Sequence, residues 1–233
     1  MIFGGVLSGG TGSRMEKAKM PKQFLPVGGV PVFVRTVKTF LSVTETVFVS
    51  VNMDYADLYE KYRNDFSLDK EKVIFVPGGD SRFTSLINLV RAAKEYDEGD
   101  NFIITHDCAR LFVSCDIIKN NIKALKEYDM VTTAIPVIDT VICSQDGKTE
   151  KYVPKRSELW SDQGPQSFRI NSFIEYLEKI PKDRYSEYIE AGKLFSENGK
   201  KIGIAMGDRY NFKITNDIDL EYAEFLLKKG YVK

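Results

Sequence analysis

Short apolar runs recur along the chain, separated by longer stretches whose apolar residues repeat with a helical period. The runs at 2–7, 46–51, 72–76, 101–105, 130–135 and 201–205 are rich in Val, Ile and Phe. Several are continuous rather than alternating, the mark of strands covered on both faces. Between them, helical patterns cover 32–40, 56–65, 81–96, 116–127, 170–179 and 217–229. Alternating strand and helix predicts an α/β fold with a largely parallel sheet.

The stretch from about 137 to 165 breaks this rhythm. It carries a strand-like piece at 140–143, then Gln145-Asp146-Gly147-Lys148, then Tyr152-Val153. Asp-Gly between two such pieces predicts a β-hairpin. A hairpin inserted in a parallel domain reads as an arm that packs on a second subunit.

Length and charge narrow the picture. The 233 residues suit one domain spanning 1–233. Lys plus Arg and Asp plus Glu are each 33, so nothing signals a nucleic-acid or anionic-membrane partner, which would favour a basic surplus. No apolar stretch approaches the roughly 20 residues of a membrane helix. The first apolar run is too short for a signal-peptide core and lacks a basic lead-in. Cys108, Cys115 and Cys143 are odd in number and lack metal-ligand spacing. Together these predict a reduced, cytoplasmic protein. The single histidine, His106, rules out a multi-histidine metal site and reads as a satisfied strand-end side chain rather than a catalyst.

Candidate chemistry begins where the first strand ends, in Leu7-Ser8-Gly9-Gly10-Thr11-Gly12-Ser13-Arg14-Met15. Glycines there let backbone N–H groups approach anionic oxygens, so the segment reads as a phosphate cradle. It is neither a Walker A loop nor a G-x-G-x-x-G fingerprint. Arg14 and then Met20-Pro21-Lys22-Gln23-Phe24 follow, with Pro21 stiffening the chain before the lysine. Two fixed cations beside one glycine loop suit a triphosphate and the charge of its transition state.

That opening resembles the signature of sugar-nucleotide-type nucleotidyltransferases. It is similar to the branch holding methylerythritol-phosphate and ribitol-5-phosphate cytidylyltransferases. Later motifs extend the resemblance over nearly the whole chain: Gly78-Gly79-Asp80-Ser81-Arg82, His106-Asp107-Cys108-Ala109-Arg110, Asp139-Thr140, Arg156-Ser157-Glu158-Leu159-Trp160, Pro165-Gln166 and Phe212-Lys213-Ile214-Thr215. The resemblance implies a Rossmann-like three-layer fold with a twisted, mostly parallel sheet. It also implies a homodimer whose arm reaches the other subunit's site, and Mg²⁺ as cofactor.

The implied reaction is attack by a polyol phosphate on the α-phosphate of CTP, releasing pyrophosphate. Such a nucleophile is already ionised near neutral pH, so positioning and charge stabilisation carry the work. By resemblance, Arg14, Lys22 and Lys213 are catalytic, and the segment from Leu7 to Gly12 binds the nucleotide. Gly79, Asp80 and Ser85 fall at the cytosine and ribose pocket, although Asp80 reads equally as a turn residue or helix cap. Asp107 sits at a strand's carboxyl end, where α/β sheets place ligands. The resemblance gives it Mg²⁺ or substrate, and gives the acceptor Arg110, Thr140, Arg156 and Lys213, with Arg156 acting across the dimer.

Departures bear on the acceptor. The methylerythritol enzymes usually carry Thr where Gly164 stands, Thr-Asp-Glu-Ala-Ser where Tyr188-Ile189-Glu190-Ala191-Gly192 stands, and Arg-Pro where Arg110-Leu111 stands. Thr84-Ser85, Gln163 and the five residues between Met15 and Pro21 lean towards D-ribitol 5-phosphate, whose CDP-ribitol product would feed a cell-wall or capsular polymer. Methylerythritol 4-phosphate is the alternative acceptor. An NAD-dependent oxidoreductase would explain the glycine loop but not Arg14, Lys22 or Arg156, and only Asp54 lies near the second strand's end. A non-catalytic nucleotide-binding module would not need Arg14, Lys22 and Asp107.

Overall fold

The computed structural model describes residues 1–10, 20–97 and 99–232. Its centre is a seven-stranded sheet, flanked by helices on both faces. The strands are β1 (Ile2–Leu7), β4 (Thr46–Val51), β5 (Val73–Pro77), β6 (Phe102–Asp107), β7 (Met130–Pro136), β8 (Trp160–Arg169) and β9 (Ile202–Met206). A two-stranded ribbon, β2 (Pro26–Val27) and β3 (Val30–Pro31), lies outside it. The sheet order is β5-β4-β1-β6-β8-β7-β9. Every neighbouring pair is parallel except those made by β8, which runs antiparallel to β6 and β7.

The helices are α1 (Val32–Leu41), α2 (Ala56–Asp65), α3 (Arg82–Tyr96), α4 (Cys115–Ala124), α5 (Ile170–Glu178), α6 (Ala191–Glu197) and α7 (Asp217–Lys228). Two buried clusters make the core, one on each face. One joins Phe3 and Phe48 of the sheet to Phe83, Phe173 and Phe195 of α3, α5 and α6. The other joins Val6, Val47 and Val49 to Phe33, Tyr59 and Ile118 of α1, α2 and α4. Continuous apolar strands supply side chains to both, which is why their sequences do not alternate.

Three sequence expectations change. Strand β8 falls partly inside the stretch expected to be arm, yet it is a central strand. Its residues show no apolar run, and it is held by backbone ladders on both sides. The expected hairpin shrinks to a single antiparallel bridge, Cys143 to Tyr152: the Cys143 N–H donates to the Tyr152 carbonyl at 2.9 Å, and the Lys151 N–H donates to the Cys143 carbonyl at 2.8 Å. Asp146-Gly147 does not form a two-residue turn; instead the Asp146 carboxylate accepts from the backbone N–H of Lys148 and Thr149. Finally, α3 begins at Arg82, one residue later than expected. Its cap is Ser81, in a reciprocal box with Thr84.

That box shapes the loop before it. A Cβ at Gly79 would collide with the Thr84 side chain and lie 2.9 Å from its backbone carbon. Only glycine lets this loop close onto its helix. Directly below, Phe83 stacks on Tyr188 at 5.2 Å and meets Tyr185 edge-on at 5.8 Å. Phe83→Ala should cost about 3–5 kcal/mol, read as a lowered denaturation midpoint with unchanged slope; a loss under about 1 kcal/mol would contradict this packing.

Candidate active site

A cavity of about 700 Å³ opens at the carboxyl ends of β1, β4, β5 and β6. Parallel strands direct their following loops to this one edge, so residues far apart in sequence meet there. From the first loop come Leu7, Ser8, Gly9 and Gly10; from the turn after it, Lys22. The loop after β5 adds Gly79, Asp80 and Ser85, and the far wall adds Asp107 and Lys213. Ten of the sequence candidates thus share one cavity. Thr11, Gly12 and Arg14 lie outside the described residues.

The roles divide on hydrogen bonding. The Ser8 N–H donates to the Ser50 carbonyl at 3.1 Å and contacts Ser50 Oγ at 3.2 Å, continuing the sheet. Ser8 is therefore a support, and the amides that can turn to a ligand begin at Gly9. Ser85 is also a support: its Oγ accepts from the Gly79 N–H at 3.0 Å and donates to the Ser81 carbonyl at 2.9 Å. Asp80 is exposed on the rim, and the cap of α3 is its neighbour Ser81.

Asp107 ends β6 with its carboxylate held from both sides. Arg82 Nε donates to Oδ1 at 2.9 Å, and Lys213 Nζ donates to Oδ2 at 2.6 Å. Burial alone would raise this carboxyl, but the Arg82 and Lys213 charges outweigh it and hold Asp107 well below the usual carboxylate range. Arg82 also donates from Nη1 to the Ile189 carbonyl at 2.8 Å, tying the loop after β5 to the segment before α6. Arg82 stands within the Gly78–Arg82 motif, but its pairing with a carboxylate 25 positions away leaves no local signal in the sequence. Lys22 Nζ donates to the Ile214 carbonyl at 2.7 Å, and the Ile214 N–H in turn donates to the Ala109 carbonyl at 2.8 Å. Three cations, Lys22, Arg82 and Lys213, are thus fixed on one side of the cavity.

Arg110 stands behind this group. Its guanidinium donates to the Asn211 carbonyl at 3.0 Å and the Asp162 carbonyl at 3.3 Å. The Asp162 carboxylate accepts from Thr132 Oγ1, the Gly164 N–H and Gln166 Nε2 at 2.9–3.0 Å. Glu190 lies against it, and burial together with that neighbouring carboxylate pushes the Glu190 carboxyl up to about 8. Thr140 and Arg156 are elsewhere. Both are exposed on the arm and line no part of this cavity, and Arg156 Nη1 donates to the Ile138 carbonyl at 3.0 Å.

The donor set suits a metal carried by the ligand better than a protein cage. Among the described residues, no group of three or more His, Cys, Asp and Glu side chains could hold a metal ion. Asp107, the candidate ligand, has both oxygens engaged by cations.

His106 is fully buried, stacked on Phe40 at 5.7 Å. Its Nε2 donates to the Arg110 carbonyl at 3.1 Å, while Nδ1 has no partner among the described residues. Burial lowers its pKa to about 4, so the ring is neutral and structural. Gly164 lies against it: its φ is +62°, and a Cβ there would stand 3.1 Å from Nδ1. The Thr-to-Gly departure at this position therefore has a backbone reason.

These shifts set a pH dependence. The unfolded histidine takes its proton near 6.5 and the folded one only near 4, so the unfolded state binds more protons between those values. Stability from His106 should fall by about 3 kcal/mol as pH drops from 6.5 to 4. Glu190 works in the opposite sense between about 4.5 and 8, because its folded form holds a proton longer. The informative measurement is the difference in denaturation free energy between wild type and His106→Gln across pH 4–7. The gap should close as pH falls; a constant gap would contradict a buried neutral ring.

The comparisons with known proteins agree with this geometry. A ribitol-5-phosphate cytidylyltransferase of Streptococcus pneumoniae is 32% identical over 237 residues, covering 98% of this chain and all of that protein. The 4-diphosphocytidyl-2C-methyl-D-erythritol synthase of Anaerococcus prevotii shares the fold, with a TM-score of 0.82 at 24% identity over 98% of this chain and 96% of that one. The 2-C-methyl-D-erythritol 4-phosphate cytidylyltransferase of Thermus thermophilus superposes with a TM-score of 0.74 at 25% identity, over 96% and 98% of the two chains. The family described as IspD, 2-C-methyl-D-erythritol 4-phosphate cytidylyltransferase, matches residues 5–229. With a cation-lined cavity at the strand ends and a family match over nearly its whole length, the chain belongs to the IspD family and is a CTP-dependent cytidylyltransferase.

Proposed function

We propose that the enzyme transfers CMP from CTP to D-ribitol 5-phosphate, giving CDP-ribitol and pyrophosphate. The observation that carries this acceptor is the full-length similarity to the S. pneumoniae ribitol-5-phosphate cytidylyltransferase. Gln163 and Thr84-Ser85 lean the same way. The second reading, methylerythritol 4-phosphate, is favoured by the family description and by the names of the structural relatives.

In this reading the acceptor phosphate supplies its own nucleophilic oxygen, and no side chain need act as base. That accords with a neutral, buried His106. Two anions must approach in line, so the fixed cations are the main catalytic resource. The Gly9 and Gly10 amides with Lys22 would hold the triphosphate, joined by Arg14. Lys213 and Arg82, spaced by Asp107, would face the α-phosphate and the incoming phosphate. Arg110 would bind the acceptor, while Gly79 and Asp80 would border the base. Mg²⁺ would be held by the nucleotide's phosphates, with Asp107 the side chain that could join them, and would supply further charge neutralisation.

The arm supports a homodimer. It exposes Ile138, Ile142, Tyr152 and Val153, each about half accessible in the single chain. Thr140 and Arg156 would then complete the partner's site. No described helix is long and apolar enough to cross a membrane, which suits the proposed cytoplasmic enzyme working on soluble phosphates. The product would serve cell-wall or capsular polymer assembly.

Pyrophosphate release with CTP and Mg²⁺ should be seen with ribitol 5-phosphate and not with methylerythritol 4-phosphate; the reverse preference would overturn the acceptor assignment. Lys22→Ala should lower kcat on the order of 100-fold or more while changing CTP binding far less, and equal losses in both would remove its transition-state role. Mixing inactive Lys22→Ala with inactive Arg156→Ala should restore activity once subunits exchange. Continued inactivity in proven heterodimers would refute the shared site.

A further inference from the structure

Two segments meet the phosphates in this reading: the glycine loop after β1 and the turn Lys22–Phe24. The first is irregular at Gly9 and Gly10, and the second is a single 3-10 turn. One buried side chain reaches both. Tyr59, in the middle of α2, is fully buried and lines no part of the cavity. Its hydroxyl donates to the Ser8 carbonyl at 2.7 Å and lies 2.9 Å from Ser8 Oγ. A phenol has one proton, which the carbonyl takes, so Ser8 Oγ is the donor in the second contact. The Tyr59 ring packs 4.7 Å from Phe24, in the Lys22 turn, and 5.1 Å from Phe33. From that same turn Gln23 Nε2 donates to the Gly10 carbonyl at 2.8 Å.

A ring in an aromatic nest needs no hydroxyl, and burying one is unfavourable unless it is bonded. Here the hydroxyl is bonded to Ser8, the residue where β1 becomes the glycine loop. We propose that Tyr59 is a positioning residue that holds the two phosphate-contacting segments in register, its hydroxyl fixing the Gly9–Gly10 amides and its ring fixing the Lys22 turn. It acts through Ser8 and Phe24 and does not touch CTP. Burial pushes its phenol well above the usual tyrosine range, so the donor proton stays in place at any working pH. The proposal rests on the reading that these two segments hold the nucleotide's phosphates.

Tyr59→Phe keeps the ring and removes the hydroxyl. It should lower kcat/KM for CTP on the order of tenfold, leave the KM for the acceptor within twofold, and lower the melting temperature by only a few degrees. The acceptor used is whichever polyol phosphate supports pyrophosphate release by the wild type. A kcat/KM for CTP within twofold of wild type would overturn the proposal. So would equal losses towards both substrates, the mark of a merely structural role. If Tyr59→Phe does not fold, Phe24→Leu, which removes the ring that packs on Tyr59 from the Lys22 turn, carries the same comparison. Calorimetric titration of wild type with CTP separates the two layers: absence of CTP binding there would refute the phosphate reading itself, whereas binding that Tyr59→Phe leaves unchanged would refute only the tyrosine's role.

Discussion

A single carboxylate, Asp107, holds the site together. It stands at the end of β6 between Arg82 and Lys213, and each cation takes one of its oxygens. Without it, two positive charges from distant parts of the chain would repel each other across a half-buried space. With it, they are spaced and aimed before any ligand arrives. Preorganised charge of this kind is the main way a protein assists a reaction between two phosphates. The ion pairs also tie three segments into one unit: the end of β6, the start of α3, and the loop before α7.

The rest of the fold can be read as support for that arrangement. Parallel strands β1, β4, β5 and β6 deliver their loops to one edge. The antiparallel β8 lies on the far side of β6 and brings Asp162, Gly164 and Gln166 behind the wall. His106 and Gly164 pack face to face there, neutral and tight. The polar chemistry is thereby confined to the cavity side of β6. The charged residues differ in burial for the same reason: Asp107 is shielded and strongly paired, while Asp80 on the rim and Arg156 on the arm meet solvent.

Much of this was legible in the sequence, for identifiable reasons. Apolar runs such as 46–51 and the helical period at 56–65 match their elements residue for residue, because buried strands and one-faced helices leave strong local patterns. The glycine loop and Asp107 were legible because loops at strand ends carry the ligand in α/β sheets, whereas Lys22 stood out by its place after Pro21 and Lys213 only through the resemblance of its motif. Strand β8 was not, since Trp160-Ser161-Asp162-Gln163-Gly164-Pro165 has neither alternation nor an apolar run and is specified by its neighbours. The hairpin reading over-weighted Asp146-Gly147, where the aspartate's own carboxylate organises a wider loop. Arg82 and Tyr59 escaped because their roles depend on partners 25 and 51 positions away. A helical pattern records that Tyr59 faces inward, but not that its hydroxyl ends on Ser8.

The central claim, that the Asp107 charge organises the cations for transfer, is tested most directly by the CTP-dependent pyrophosphate release of Asp107→Asn. Asparagine keeps the shape and removes the charge. The account predicts activity lower on the order of 100-fold or more in a protein that melts within a few degrees of wild type. Near-wild-type activity in a folded Asp107→Asn enzyme would contradict it.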